Sequence, residues 1–247
     1  MAARDEIIAF ADELLDIAAF PDYGPMGLQV VGATEVTKVA AGVSASRALF
    51  DRAREAGAQL LVVHHGLFWN NESPVVDARM RGRLEALFAG DVSLAAYHLA
   101  LDAHPEIGNN VLLAQALGVE VDGPFEKLGA GGRLREPVGI DAFAARVRDE
   151  LGRDPLVFPH GPERIERVAV VTGGGGRLLP EAAQAGYDLF LTGEPEEPTL
   201  HTSLELGIHF LAAGHYATET LGIQALAARL ADRFDLAWEF LDLPNPV

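Results

Sequence analysis

The residues best suited to chemistry are histidines that close apolar runs. "LLVVHHGLFW", Leu60 to Trp69, carries apolar residues straight into His64 and His65 and then Gly66. "VSLAAYH" ends in His98 with Asp102 four residues on, and "IHFLAAGH" ends in His215 with Glu219 four residues on. A further apolar run, "LFLT", leads into Gly193 and Glu194. Imidazole nitrogen together with carboxylate oxygen is a donor set for divalent ions, and two or more carboxylates can bridge a pair of them. Such a pair clamps the attacking and leaving oxygens of a hydrolysis and acidifies water at neutral pH. Each motif alone also has a plain structural reading, as an imidazole packed beside a capping acid. Four of them at strand ends favour metal.

Neighbouring side chains of a regular strand point to opposite faces, so His64 and His65 share one site only where the strand ends or twists. Gly66 makes such a departure plausible.

The elements that must deliver these groups are repeated. "VAAGVSASRALFDRAREAGAQLLVVHHG" from Val39 and "VAVVTGGGGRLLPEAAQAGYDLFLTGEP" from Val168 align without a gap at an offset of 129 (168 − 39). Each reads as strand, small-residue turn, amphipathic helix ending at glycine (Gly57, Gly186) and second strand, a βαβ unit that favours a parallel sheet. Before each lies a helical segment (Asp5 to Ile17; Asp141 to Leu151) and a short strand (Met26 to Val31; Pro155 to Phe158). After each comes the strand that ends in histidine, then another helix. The fold expected is α/β: two similar α/β domains from an internal duplication, each a mostly parallel sheet flanked by helices, with a metal site in the cleft between them. Residues 1–124 would carry His64, His65, His98 and Asp102, and residues 125–247 Glu194, His215 and Glu219. The boundary is read in the glycine-rich stretch from Asp122 to Gly132, "DGPFEKLGAGG". In open α/β sheets ligands gather at the carboxyl ends of strands, where all these motifs sit.

Bulk properties narrow the function. With no cysteine in 247 residues, thiolate ligands and disulfides are excluded. A net charge of −17 argues against a general basic surface for nucleic acid. No apolar run is long enough to span a membrane, and the N-terminal stretch, with acids among its apolar residues, reads as an amphipathic helix rather than a signal peptide. A cytoplasmic location is expected. His104, His160, His201 and His209 lack matching partners and are read as structural or surface groups. "TGGGGR", Thr172 to Arg177, has no Walker ending, so Gly173 to Gly176 are read as serving close backbone packing rather than phosphate contact. Glu194 aligns with His65, as a supporting acid or a former ligand. No Ser-His-Asp order stands out, and Ser44 and Ser46 lack an identifiable base.

Taken together and in order, "DYGPMGLQVVG", "VVHHGLFW", "HLALDAHPEIGNN", "TGE" and "AAGHYATETLG" resemble the Nif-three-like dinuclear-metal-centre family, also labelled GTP cyclohydrolase I type 2, in its short bacterial branch. The resemblance extends over essentially the whole chain. It implies a toroidal homo-hexamer with two divalent metal ions per chain, Zn, Fe, Mn, Ni or Mg. It implies as ligands His64, His65, Asp102, His215 and Glu219, with Glu219 bridging. His98 is then a proton shuttle or a supporting group. The activity expected is a metal-dependent hydrolase acting on a small, nucleotide-like or phosphorylated substrate. The alternative is a metal-binding scaffold or metal-delivery protein without turnover.

Overall fold

The two stretches that align at an offset of 129 fold alike in the computed structural model, which describes residues 1–247. Strand Lys38–Ser44, helix Arg47–Glu55 and strand Leu60–His65 form one βαβ unit. Strand Ile165–Val171, the short helix Leu179–Gln184 and strand Leu189–Thr192 form the other. Val39 faces Leu60 in parallel register, and Val168, 129 residues later, faces Leu189. The next strands, Ser93–Ala96 and His209–Ala212, add in parallel to each, with Val63 opposite Ala96 and Thr192 opposite Ala212. Edge strands Gly27–Val30 and Leu156–Pro159 then pair antiparallel, Gly27 against Ala96 and Leu156 against Ala212. Even the helix ends match. Gly57 and Gly186 both take positive φ, and Ala58 and Tyr187 each donate back to the carbonyl five residues earlier, Ala53 and Ala182. A left-handed residue is what this terminating turn requires, and glycine adopts it without a Cβ penalty.

Helix Arg47–Glu55 forms because Ser46 accepts the Leu49 amide at its start and because Leu49, Phe50 and Ala53 recur along one face. That face packs on Leu61, Val63, Leu94 and Ala96 of the sheet. Truncating a side chain such as Phe50, which is fully buried, to alanine would cost about 3–5 kcal/mol. In the repeat, alternate strand residues serve opposite faces. Val168 and Val170 join a core with Phe143 and Val147, while Ala169 and Val171 join one with Phe190 and Phe210. Burial on both faces explains why these strands read as unbroken apolar runs.

The expectation of a mostly parallel sheet holds for the first sheet, in the order Ala237–Phe240, Lys38–Ser44, Leu60–His65, Ser93–Ala96, Gly27–Val30, where only the last pairing is antiparallel. The second sheet is mixed. The stretch expected as a loop-rich linker is a β-hairpin, Val119–Phe125 with Gly129–Val138, and it adds antiparallel to Ile165–Val171. Its glycines are strand residues under close approach. A Cβ on Gly131 would collide with the Tyr187 hydroxyl, and one on Gly132 with the Glu120 carbonyl.

The chain groups into two compact units, Met1–Leu101 with Gly222–Leu243, and Asp102–Leu221 with Pro244–Val247. No helix is long and apolar enough to cross a membrane.

Candidate metal centre

In the first unit His64 and His65 end their strand, with ring centroids 4.8 Å apart. At the next position only glycine fits, since a Cβ on Gly66 would collide with the Gln29 amide group. Gln29 braces the turn by accepting the Leu67 amide and donating to the Pro25 carbonyl. His98, two residues past strand Ser93–Ala96, brings its ring to 5.1 Å from His64 and 5.4 Å from His65. One ligating atom from each of the three lies within 4.8 Å of the other two.

Each of these rings is oriented through Nδ1. His64 Nδ1 is 2.9 Å from the Tyr97 carbonyl. A carbonyl only accepts, so this nitrogen carries the proton. His98 Nδ1 is 2.8 Å from the Asp22 carboxylate, which on its other oxygen accepts the Leu99 amide. His65 Nδ1 is 3.2 Å from the Ser44 hydroxyl, its register partner on the neighbouring strand. Burial pushes the Asp22 carboxyl up, but the hydrogen bond and charge of His98 with the Leu99 and Tyr23 amides outweigh it and hold the carboxyl below its usual range. Trp69 stands edge-on to His98 at 5.2 Å. Asp22, Met26, Phe68, Trp69, His64 and His98 line a small cleft.

In the second unit Asp102 is buried and held on both its side chain and backbone. Asn109 donates to its carboxylate at 2.8 Å, and Asn110 to its carbonyl at 3.1 Å. His215 opens the short helix His215–Thr218 and Glu219 follows it. His215 Nδ1 bonds the Glu194 carboxylate, while Nε2 is 3.3 Å from Glu219. Burial alone would push the His215 imidazole down. The Glu219 and Glu194 carboxylates override it and raise it to about 9. Glu194 thus acts as a supporting acid on His215.

The Thr172–Arg177 loop is built for close packing beside these groups. Gly173 has φ of +64°, and a Cβ on it would collide with Glu219 and come within 3.1 Å of His215 Nε2. The Gly173 and Gly175 amides donate to the hydroxyls of Thr218 and Thr192, and the Thr172 amide to Asn110. Amides so committed are not presented to a phosphate.

The histidines without sequence partners do structural work. His209 accepts from the Gly161 amide and bonds the Pro162 carbonyl, His104 caps the Glu106 and Ile107 amides, and His160 bonds Ser203. His201 is exposed. The matching of the two His-x3-acid motifs is corrected by one residue. Register equates Ala96 with Ala212, so His98 corresponds to Gly214, and His215 corresponds to Leu99, the first residue of the short helix Leu99–Asp102. Two supporting groups were given no role in the sequence. Ser44, expected to lack an identifiable base, meets His65 Nδ1 through strand register, and Asp22, the first residue of the "DYGPMGLQVVG" string, meets His98.

A family model described as Duf34/NIF3 (NGG1p interacting factor 3) matches residues 2–246. A Pseudomonas aeruginosa protein named GTP cyclohydrolase 1 type 2 homolog is 47% identical over 249 residues, covering 99% of this chain and 98% of its own. An Escherichia coli K12 protein of the same name is 48% identical over 242 residues, covering 98% of each. A solved structure described as protein ybgI, of unknown function, superposes with a TM-score of 0.97 at 46% identity, covering 100% of both chains.

Proposed function

The chain belongs to the Duf34/NIF3 family, and on that premise we propose that it is a metal-dependent hydrolase that uses two divalent ions on a phosphorylated, nucleotide-like substrate. In this reading His64, His65, Asp102, His215 and Glu219 would hold the ions. The observation that carries it is the common orientation of the histidines. His64, His98 and His215 each direct Nδ1 at a carbonyl or carboxylate acceptor, and His65 directs it at a hydroxyl. Metal-ligating histidines are held in this way, because the second bond fixes the tautomer and raises the basicity of the other nitrogen. The donor set fits divalent ions: imidazoles and carboxylates, no thiolate, and a glycine at 173 that leaves room beside Glu219 and His215.

Two divalent ions, when bound, supply Lewis-acid polarisation of a substrate oxygen and lower the pKa of water. The chain supplies the rest. Glu194 keeps the His215 ring in one orientation, Asn109 does the same for the Asp102 carboxylate, and Met26, Phe68 and Trp69 line the cleft beside His64 and His98. A net charge of −17 repels a phosphorylated substrate unless cations neutralise it locally, which favours binding through metal. The name carried by the 47% and 48% identical relatives supports GTP as the first substrate to try.

The test is a hydrolysis panel of nucleotides and phosphoesters on metal-loaded protein. Turnover that disappears in His65→Ala and Glu219→Ala supports the reading. A fully loaded protein that turns over nothing overturns it and leaves metal storage or delivery as the function. The homo-hexamer belongs to the same reading. Leu200 and Leu204, one helical turn apart and exposed on helix Thr199–Leu206, suit self-association. Sedimentation velocity gives the assembly mass directly.

A further inference from the structure

We infer that Arg153 is an anion-binding residue at the rim of the second unit, placed to hold a phosphate group of the substrate near His215. The inference rests on the reading of a phosphorylated substrate and adds the residue that recognises it.

The local fold delivers Arg153 to that rim. Helix Ile140–Leu151 ends at Gly152, whose φ of +69° turns the chain out of the helix. Arg153 follows, just before the edge strand Leu156–Pro159, which runs antiparallel to strand His209–Ala212 with Leu156 opposite Ala212. The start of the first strand therefore lies beside the carboxyl end of the second, the end at which ligands gather in open α/β sheets. There the guanidinium rests against the backbone of Gly214, the residue before His215. A Cβ on Gly214 would lie 2.7 Å from Arg153 Cζ and 3.1 Å from Nε.

The repeat shows what is unusual at this junction. In the first unit the segment leading into edge strand Gly27–Val30 carries Asp22, which holds the His98 ring. Gly214 is the counterpart of His98, so the corresponding segment sets a cation over a glycine instead of a carboxylate against an imidazole. Nothing there occupies the cation. The Gly214 amide donates to the Gly193 carbonyl, and the Gly214 carbonyl accepts from the amide and hydroxyl of Thr218. Glu194 bonds His215, and Asp154 faces Arg148 at 3.8 Å. Arg153 makes no ion pair or hydrogen bond within the chain, although it is half-buried and acids outnumber Lys and Arg by 36 to 19. Charged side chains are rarely withdrawn from water unpaired. The planar fork of a guanidinium matches two oxygens of a phosphate.

Calorimetric titration of the metal-loaded protein with GTP, guanosine and pyrophosphate tests the assignment. Arg153→Gln should weaken GTP and pyrophosphate binding by about 10–100-fold, leave any guanosine binding unchanged, and keep the wild-type metal content and urea midpoint. Arg153→Lys should recover part of the loss, since an ammonium keeps the charge without the paired donors. Pyrophosphate binding that depends on Arg153, in a protein that turns over nothing, supports the inference and overturns the hydrolase reading. GTP hydrolysis with an unchanged KM in Arg153→Gln overturns the inference and leaves the hydrolase reading standing. Wild-type protein that binds neither phosphate probe, or a Gln variant whose losses track a lower urea midpoint with no recovery in Arg153→Lys, also overturns the inference.

Discussion

A methyl group on Gly173 would collide with the Glu219 carboxylate, so this glycine is part of the shape of the candidate centre. Its φ of +64° adds a second requirement, since side-chain-bearing residues pay about 1–2 kcal/mol in that region. Gly173→Ala should lower the stability of the chain by at least that amount and displace Glu219. The expected result is a reduced zinc affinity in competition titration together with a lower urea midpoint. Wild-type affinity in the alanine variant would show that Glu219 does not need this space.

Glu194 should matter through His215 alone. Glu194→Gln removes one of the carboxylates that lift the imidazole to about 9. In the metal-free protein an NMR titration should therefore find His215 titrating at lower pH. Metal affinity should fall by about 10–100-fold, the usual cost of losing a carboxylate behind a ligating histidine. An unchanged titration would separate Glu194 from His215.

Asp22 makes a pH-dependent contribution to stability. Its folded-state carboxyl lies below its ordinary value, so the native state binds fewer protons than the unfolded one in the window between the two. The stabilisation is thus present above the unfolded value and is lost as pH falls through the folded one. Asp22→Asn in the metal-free chain should cost about 1.5–3 kcal/mol at pH 7, the range for a hydrogen bond to a charged group, and progressively less in acid. Urea unfolding across the pH range reads this. A cost that does not vary with pH would contradict it.

Ser46→Ala serves as a contrast. Losing the cap on the Leu49 amide should cost about 0.5–2 kcal/mol and leave metal per chain unchanged. Loss of metal in this variant would mean that site variants report general destabilisation.

The repeat was legible because buried parallel strands and helix-terminating glycines leave marks at fixed spacing: Val39 and Val168, Gly57 and Gly186. The hairpin Val119–Val138 was hidden because its glycines answer close approach by Tyr187 and Glu120, which no local pattern announces. The C-terminal strand Ala237–Phe240 pairs with Lys38–Ser44 across almost the whole chain, a partnership set by tertiary packing. At the site, residue types at strand ends pointed to His64, His65, His98 and His215, which fall in groups that could hold a metal ion. Their holders Ser44, Tyr97 and Asp22 come from other elements and needed the fold. The one-residue offset between His98 and His215 likewise became visible only from strand register.

The most direct measurement is metal per chain by elemental analysis after reconstitution, on the wild type and on His65→Ala and Glu219→Ala. About two divalent ions per wild-type chain, falling in both variants, is the expected result for a dinuclear centre. No bound metal, or a metal content untouched by either substitution, would mean that the histidines ending strand Leu60–His65 are structural and that the centre lies elsewhere or nowhere.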